Sequence, residues 1–280
     1  MEKIYDYILQ KQTHIGLLRP TQEDAVIALV HPEDDRIKLL AVADGMGGKQ
    51  YGDIAANYVL QKFGYWFLEQ PLSSFSDVAE LKEKLINLVM ECNHHFILEY
   101  GSEQVGTTLT LALVLEEDTL ILHLGDSRCY FYKNGEIKQV TEDDSDVWLY
   151  YKYQHLNKEW LRYFATSNII HNCIGISFNV CRPHVYIFSN DSYKTLLLTT
   201  DGVTDLVTDS KLQHLLRDTD IQTVSKRIIE EAVFVDQHLF IPSDLKKYPY
   251  DHYLVPVRGR DNASVCLLYT SPSPRDAHES

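Results

Sequence analysis

The chain of 280 residues has little cysteine, no excess of basic residues and no long apolar run. Its five cysteines are scattered without a Cys-x-x-Cys pair, which favours free thiols in a reducing compartment over a disulfide framework. The net charge of −14 disfavours nucleic acid, whose phosphates would repel an acidic surface. No apolar stretch approaches about 18 residues, so we expect no membrane association. The first six residues are too charged for a secretory signal. We therefore expect a cytoplasmic protein.

The composition is that of an ordinary soluble globular protein, with 45% hydrophobic and 24% charged residues. The length lies at the upper end for a single hydrophobic core. We expect one domain over residues 1–269 and a monomer. Residues 270–280 form a polar tail with a Ser-Pro repeat that resembles translated vector sequence. We expect this tail to be non-native or disordered and exclude it from the fold.

Hydrophobic periodicity predicts an α+β fold. Short apolar runs predict strands near 25–30, 37–43, 107–115, 118–125, 128–133, 136–140, 184–189, 195–200 and 263–269. Apolar residues at helical spacing predict helices near 53–69, 77–100, 209–217 and 221–235. Asn134-Gly135 marks a type I′ hairpin turn. Because strands follow one another directly and helices come in pairs, we expect an α-β-β-α sandwich, two stacked antiparallel sheets flanked by helix pairs.

Four aspartates occur at the ends of predicted strands. Asp44 and Asp201 each close an apolar run and precede a glycine, Asp126 follows a third run, and Asp261 lies just ahead of the last strand. An isolated Asp-Gly is more often a plain turn than a ligand. Four such carboxylates, however, suggest a site for hard cations, without which they could not all stay ionised together. The pattern favours a metal-dependent hydrolase.

Six short segments occur in a fixed order: Arg19–Asp24, Ala43–Gly48, Gly106–Thr108, Gly125–Arg128, Asp201–Asp205 and Gly259–Asn262. Together they resemble the metal-dependent Ser/Thr protein phosphatases of the PPM (type 2C) family, and the resemblance covers roughly residues 12–268. Met46 stands where eukaryotic members carry a histidine proposed as general acid, so the resemblance is to bacterial-type members.

The resemblance implies a centre of two Mg²⁺ or Mn²⁺ ions, with a weaker third ion. Asp44 would bridge both core ions and the carbonyl of Gly45 would bind one of them. Asp201 and Asp261 would complete the other. Asp126, with Asp201, matches the weaker third site. Glycine beside the bridging aspartate would let the backbone approach the ion closely.

The resemblance also implies three residues that handle water and substrate. Glu23 and Asp24 would hold metal-bound waters. Arg19 would grip the phosphate, because a planar guanidinium donates two parallel hydrogen bonds to it. The implied function is hydrolysis of phosphoserine or phosphothreonine in proteins, in signal transduction, by water activated at the binuclear centre.

Two segments interrupt the pattern and leave alternatives open. Residues 142–173 match the family's flap in position, and their aromatic part, 148–164, could be a lid packed on the core or a partner-binding surface. Residues 236–258 carry three prolines without clear periodicity and are predicted to be an insertion loop. One alternative function is a non-catalytic adaptor that binds phosphoproteins or kinases through the flap. Another is a phosphatase acting on small phosphorylated molecules.

Overall fold

Two antiparallel sheets form the centre of the molecule. The computed structural model describes residues 7–46, 51–177, 179–234, 241, 243–245 and 261–270. Its strands are β1 Tyr7–His14, β2 Asp24–Val30, β3 Lys38–Met46, β4 Gly106–Thr107, β5 Leu109–Val114, β6 Asp118–Leu124, β7 Arg128–Lys133, β8 Glu136–Gln139, β9 His184–Ser189, β10 Thr195–Thr199 and β11 Ala263–Thr270. One sheet has the order β2-β3-β5-β6-β9, with β4 paired to β3, and the other has the order β1-β11-β10-β7-β8.

Two pairs of helices cover the outer faces of the sheets. The α-helices of the described residues are α1 Gly52–Glu69, α2 Val78–Tyr100, α3 Asp146–Gln154, α4 Asp201–Thr204, α5 Asp209–Asp218 and α6 Val224–Phe234. The pair α1 and α2 packs on the first sheet through buried side chains such as Phe63, Phe67 and Leu85. The pair α5 and α6 packs on the second sheet through Leu212 and Ile228. The predicted α-β-β-α sandwich is therefore confirmed.

Between the sheets lies a separate apolar layer. Its members alternate along the strands and come from both sheets, among them Leu40, Val42, Ile121, Leu196, Leu198 and Leu268. Alternate side chains of a strand point to opposite faces, so β3 and β10 each contribute to this layer and to the contact with the helices. Both strands are thus fixed on two sides, and the residues at their ends are held in place.

Local turn chemistry also agrees with the sequence. Asn134 and Gly135 have φ values of +54° and +84°, as a type I′ turn requires at both central positions. They join β7 to β8 in the predicted hairpin.

Two features at the sheet edge differ from expectation. Strand β1 was not predicted; it pairs along its whole length with β11 and forms an edge of the second sheet. Its residues Lys11 to Thr13 are polar and largely exposed, so the apolar signal is weak there. Thr270, the first residue assigned to the tail, ends β11 and pairs with Tyr7. Residues 271–280 lie outside the described residues.

The predicted flap contains α3 and a 3₁₀-helix, Lys158–Tyr163. Its buried aromatic and aliphatic side chains form a small cluster of their own, which includes Trp148, Leu161, Phe164 and Leu245. Tyr153, by contrast, is 70% exposed. Most of the predicted insertion, 236–258, lies outside the described residues. No helix in the described part of the chain is long and apolar enough to cross a membrane.

Candidate metal centre

The first pair of carboxylates comes from two neighbouring strands. Asp24 begins β2 and lies directly opposite Asp44 of β3 in the antiparallel register. The N–H of Gly45, the next residue, donates to the carbonyl of Glu23 at 3.1 Å. These bonds bring Glu23, Asp24 and Asp44 together at one end of the first sheet.

The second pair has the same arrangement in the other sheet. Asp201 follows β10 and begins α4, and Asp261 comes two residues before β11. Because β10 and β11 are antiparallel neighbours, the end of one lies beside the start of the other. Thr200 connects the two pairs: its hydroxyl donates to Asp24 Oδ2 at 2.8 Å and accepts from the N–H of Ser264 at 3.0 Å.

The carboxyl groups of the two sheets meet. The carboxyl groups of Asp44 and Asp201 are close enough to share a hydrogen bond, which forms when one of the two is protonated. Burial, and then the charges of Asp201 and Asp24, raise the pKa of Asp44 well above its usual value. Burial, and then the charge of Asp201, raise the pKa of Asp24 to about 7. Without compensating cations this cluster therefore shares protons near neutral pH.

Asp126 lies in the same acidic region. Burial, followed by the charges of Asp201 and Asp143, raises the pKa of Asp126 well above its usual value. The preceding residue, Gly125, is fixed by two backbone contacts with Asp144: its N–H donates to the carboxylate at 3.0 Å, and its carbonyl accepts from the N–H at 2.8 Å. Asp144 belongs to the base of the flap, so the flap helps to place Asp126.

Arg19 covers the cluster from the solvent side. Its guanidinium donates to Asp261 Oδ2 at 2.6 Å and to Glu23 Oε2 at 3.5 Å, and its side chain is 49% exposed. The loop that carries it is fixed by Asn262, which donates to the carbonyls of Ile15 at 2.8 Å and Thr21 at 3.0 Å. Asn262 also accepts from the N–H of Glu23 at 2.7 Å. The loop is therefore fixed on both sides of Arg19, and about half of the Arg19 side chain faces solvent.

Both Asp-Gly dipeptides need their glycine for protein packing. A Cβ on Gly45 would lie 1.9 Å from the carbonyl oxygen of Gly52, and one on Gly202 would lie 1.9 Å from that of Asn262. The sequence suggests that a side chain at position 45 would hinder the approach of an ion. In the structure, such a side chain would first collide with the backbone of Gly52, because the two backbone segments are in contact there.

Several site residues were present in the quoted segments without a predicted role. Thr107 Oγ1 donates to the carbonyl of Asp44 at 2.9 Å, and Thr108 Oγ1 accepts from its N–H at 2.9 Å. Thr108 Oγ1 also bonds to Ser127 Oγ at 2.8 Å. The threonine pair thus holds the backbone of Asp44 from the side opposite Asp24. The sequence signal that could have identified this pair was its place in Gly106–Thr108, one of the six ordered segments.

Asp205 is a further carboxylate that the sequence reasoning missed. It lies four residues after Asp201, and its N–H donates to the carbonyl of Asp201 at 2.7 Å. Residues four apart on a helical turn share one face, which was the available signal. Burial, and then the charge of Asp201, raise the pKa of Asp205 to about 7. Asp126, Asp201 and Asp205 line a polar cavity of about 30 Å³, enough for one or two waters.

Basic side chains face these carboxylates across the cavity. Arg128 is paired with Asp143 at 2.7 Å, Arg162 with Glu159 at 2.9 Å, and Lys158 with Asp209. Lys158 and Arg162 belong to the 3₁₀-helix of the flap and also line the cavity. The flap therefore brings positive charge to the edge of the acidic cluster.

The residues present fit divalent cations in chemistry. The predicted ligands are all oxygens, which Mg²⁺ and Mn²⁺ prefer. Asp24 Oδ1 is buried and has no hydrogen-bond partner among the protein atoms. Within the part of the chain that the structure describes, no three His, Cys, Asp or Glu side chains already surround one point as a cation cage. The carboxylates instead approach in pairs, and Arg19 takes up part of their charge.

The chain belongs to the Protein phosphatase 2C family, whose profile matches residues 19–239. This confirms the resemblance found in the sequence. The serine/threonine phosphatase stp of Listeria innocua serovar 6a is 28% identical over 228 residues, which cover 80% of this chain and 86% of that protein. The structure is similar to that of serine/threonine phosphatase Stp1 from Staphylococcus aureus, with 25% identity, a TM-score of 0.77 and coverage of 97% and 98% of the two chains.

A third comparison concerns a metal-bound protein. The catalytic domain of serine threonine protein phosphatase PstP, solved in complex with two manganese ions, is 24% identical. Its TM-score is 0.69, with coverage of 95% of this chain and 99% of that one. This similarity establishes a shared fold.

Proposed function

We propose that this protein hydrolyses phosphoserine and phosphothreonine in proteins at a centre of two Mg²⁺ or Mn²⁺ ions. The observation that carries the proposal is the meeting of Asp24 and Asp44 from one sheet with Asp201 from the other, beneath the half-exposed Arg19. Such a cluster raises the free energy of the folded protein unless cations offset its charge. The assembly of these carboxylates at one place in the fold therefore points to a metal-dependent function.

Asp44, the carbonyl of Gly45, Asp201 and Asp261 would hold the two core ions, and Asp126 with Asp201 a weaker third. When bound, such ions lower the pKa of a shared water and polarise the phosphoryl oxygens for in-line attack. Binding them would release the protons that Asp44 and Asp201 share, since ligating carboxylates must be ionised.

Arg19 binds and orients the substrate phosphate in this proposal. Its guanidinium would leave Asp261 and donate two parallel hydrogen bonds to the phosphate, a geometry that lysine cannot reproduce. Glu23 and the unpaired Oδ1 of Asp24 would accept hydrogen bonds from the waters of the site. Met46 has no proton to give, so the leaving serine or threonine oxygen would take its proton from water.

The family relatives support the same reaction. Those named above are serine/threonine phosphatases, and one neighbour binds two manganese ions. A non-catalytic adaptor would have no use for the carboxylate cluster. We further propose that the enzyme is a cytoplasmic monomer that acts on phosphoproteins in signal transduction. Its five free thiols support a reducing compartment.

The test is hydrolysis of p-nitrophenyl phosphate, phosphoserine peptides and small sugar phosphates with Mn²⁺, with Mg²⁺ and with excess EDTA. We expect turnover of the aryl phosphate and the peptides with either ion, little turnover of the sugar phosphates, and none with EDTA. Full turnover in EDTA would refute the metal centre. Tight peptide binding without hydrolysis would favour the adaptor, and efficient hydrolysis of the sugar phosphates alone would favour the small-molecule enzyme.

A further inference from the structure

Asn93 is a buried polar residue on an apolar helix face. Leu81, Leu85 and Val89 lie four residues apart along α2, and Asn93 is the next position of this buried row. Its Oδ1 accepts from the N–H of Gly175 at 2.7 Å. Its Nδ2 is buried and has no hydrogen-bond partner among the described residues. An unpaired buried amide is unfavourable, so the presence of asparagine in this row needs a reason other than stability.

The bond from Asn93 fixes the segment that follows the flap. The carbonyl of Gly175 accepts from the N–H of Glu103 at 3.0 Å. Gly175 is therefore fixed at its N–H by α2 and at its carbonyl by the loop after α2. The preceding residue, Ile174, pairs with Thr107 of β4, and the N–H of each donates to the carbonyl of the other at 3.0 and 2.9 Å.

Strand β4 extends this constraint to Asp44. Thr107 Oγ1 donates to the carbonyl of Asp44 at 2.9 Å. The N–H of Thr108 donates to the same carbonyl at 2.9 Å. A path of hydrogen bonds thus runs from the buried side chain of Asn93 to the aspartate that is proposed to bridge both core ions.

The backbones along this path have little room to shift. A Cβ on Gly106 would lie 2.3 Å from the carbonyl oxygen of Ile174, and one on Gly175 would lie 2.1 Å from that of Val105. Gly175 also has a φ of +101°, which favours glycine. Because the two backbones are in direct contact, a displacement of Ile174 and Gly175 passes to β4 and is not absorbed between them.

We propose that Asn93 is a positioning residue for the metal centre, which holds Asp44 in the place that a bridging carboxylate requires by fixing Gly175 and, through it, Thr107. The proposal rests on the proposed phosphatase function. It gives a role in ion binding and turnover to a residue of α2, a helix that carries none of the proposed ligands. Asn93 acts through its neighbours and takes no part in the hydrolysis itself.

The first test is calorimetric titration with Mn²⁺ of three variants. Asn93→Leu keeps the approximate size of the side chain and removes the acceptor. Asn93→Asp keeps an acceptor oxygen, since burial favours the protonated, neutral carboxyl. Val89→Ala, one turn earlier in the same buried row, weakens the packing of α2 without touching the path. Asn93→Leu should bind the tight ions about tenfold more weakly, and the other two should stay within about twofold of wild type.

Thermal unfolding separates positioning from stability. Val89→Ala should lower the Tm and keep the affinity for Mn²⁺, because it leaves a cavity far from the ligands. Asn93→Leu should change the Tm less than Val89→Ala does, since it removes the unpaired Nδ2 together with the bond to Gly175. If Asn93→Leu does not fold, Asn93→Ser, whose hydroxyl is too short to reach Gly175, takes its place with the same expected loss of affinity.

The second test is a double-mutant cycle on kcat for p-nitrophenyl phosphate. Asn93→Leu and Thr107→Val should each lower kcat about tenfold, whereas KM should change by less than about twofold, because Arg19 is not on the path. Two residues that act through one path give losses that do not multiply. The double variant should therefore remain near the weaker single variant and well above a loss of about a hundredfold.

The outcomes separate the two proposals. Wild-type affinity for Mn²⁺ and wild-type kcat in Asn93→Leu would overturn the positioning role and leave the phosphatase function intact. So would an equal loss in Asn93→Leu and Asn93→Asp, or losses that multiply in the double variant. Wild-type protein that neither binds Mn²⁺ nor hydrolyses p-nitrophenyl phosphate would overturn the phosphatase function, and the role of Asn93 with it.

Discussion

Replacing Asp44 by Asn should stabilise the metal-free protein while it lowers activity about a hundredfold or more. Asp44 contacts Asp201 and lies opposite Asp24, and burial with these neighbouring charges makes its ionised form unfavourable. Asparagine has the same shape without the charge. The backbone bonds that hold this position to Thr107 and Thr108 do not depend on the side chain. The substitution therefore removes repulsion and leaves the fold intact.

The magnitude follows from the pKa shifts of the cluster. The pKa of Asp24 rises from 3.8 to about 7, and each unit corresponds to about 1.36 kcal/mol. Because several groups share this cost, we expect Asp44→Asn to recover about 2 kcal/mol of unfolding free energy at pH 8. For a chain of this length that is roughly 3–4 °C in Tm. Activity with Mn²⁺ should fall by about two orders of magnitude or more.

The pH dependence of folding stability fixes the sign of the expected difference between Asp44→Asn and wild type. A carboxyl whose pKa is raised in the folded state keeps a proton that the unfolded chain has lost, so wild-type stability falls as pH rises above about 3.8. The excess stability of Asp44→Asn should be near zero at pH 4 and grow toward pH 8. Thermal unfolding in EDTA measures it, with Asp118→Asn, a residue of β6 outside the cluster, as control. A lower Tm for Asp44→Asn across this range, together with retained activity, would refute the reasoning.

Three further predictions concern other parts of the molecule. Arg19→Ala should mainly raise KM, because the phosphate contact already exists in the ground state; an unchanged KM would remove Arg19 from the phosphate site. Gly202→Ala should lower the unfolding free energy by about 1–3 kcal/mol or more, since its Cβ would lie 1.9 Å from the Asn262 carbonyl; an unchanged Tm would contradict this close contact. The hydrogen bond to Asp144 raises the pKa of His184 above 6.5, so its stabilisation is full below pH 6.5 and is lost as pH rises through the folded pKa. His184→Gln should flatten the fall of Tm over that range, and parallel Tm profiles would argue against it.

The sheet and helix framework could be predicted because its signals are local. Each buried strand is a short apolar run, and the paired helices keep a 3.6-residue period, so their positions follow from neighbouring residues. The turn at Asn134-Gly135 is also local, since its backbone conformation depends on two residues. Strand β1 was missed because a partly exposed edge strand lacks a continuous apolar pattern.

The site was harder to predict in detail because its supports join distant segments. Asn262 fixes Glu23 across 239 positions of sequence, and Thr200 bonds to Asp24 across 176. No local pattern marks such contacts. The family motif indicated which segments converge, but the role of Asn262 became clear only from the three-dimensional arrangement. The secondary structure inside the flap could not be predicted for the same reason. Its small apolar cluster is completed by Leu245, which lies far along the chain, so the local sequence shows no clear hydrophobic period.

The central claim is that the aspartates form a metal centre in which each has a separate role, and calorimetric titration with Mn²⁺ tests it most directly. Wild-type protein should bind two ions tightly. Asp126→Asn should keep both, because Asp126 is assigned to the weaker third ion, whereas Asp44→Asn should lose both, since a neutral amide oxygen cannot replace a bridging carboxylate. Two tight sites in Asp44→Asn, or their loss in Asp126→Asn, would contradict this assignment.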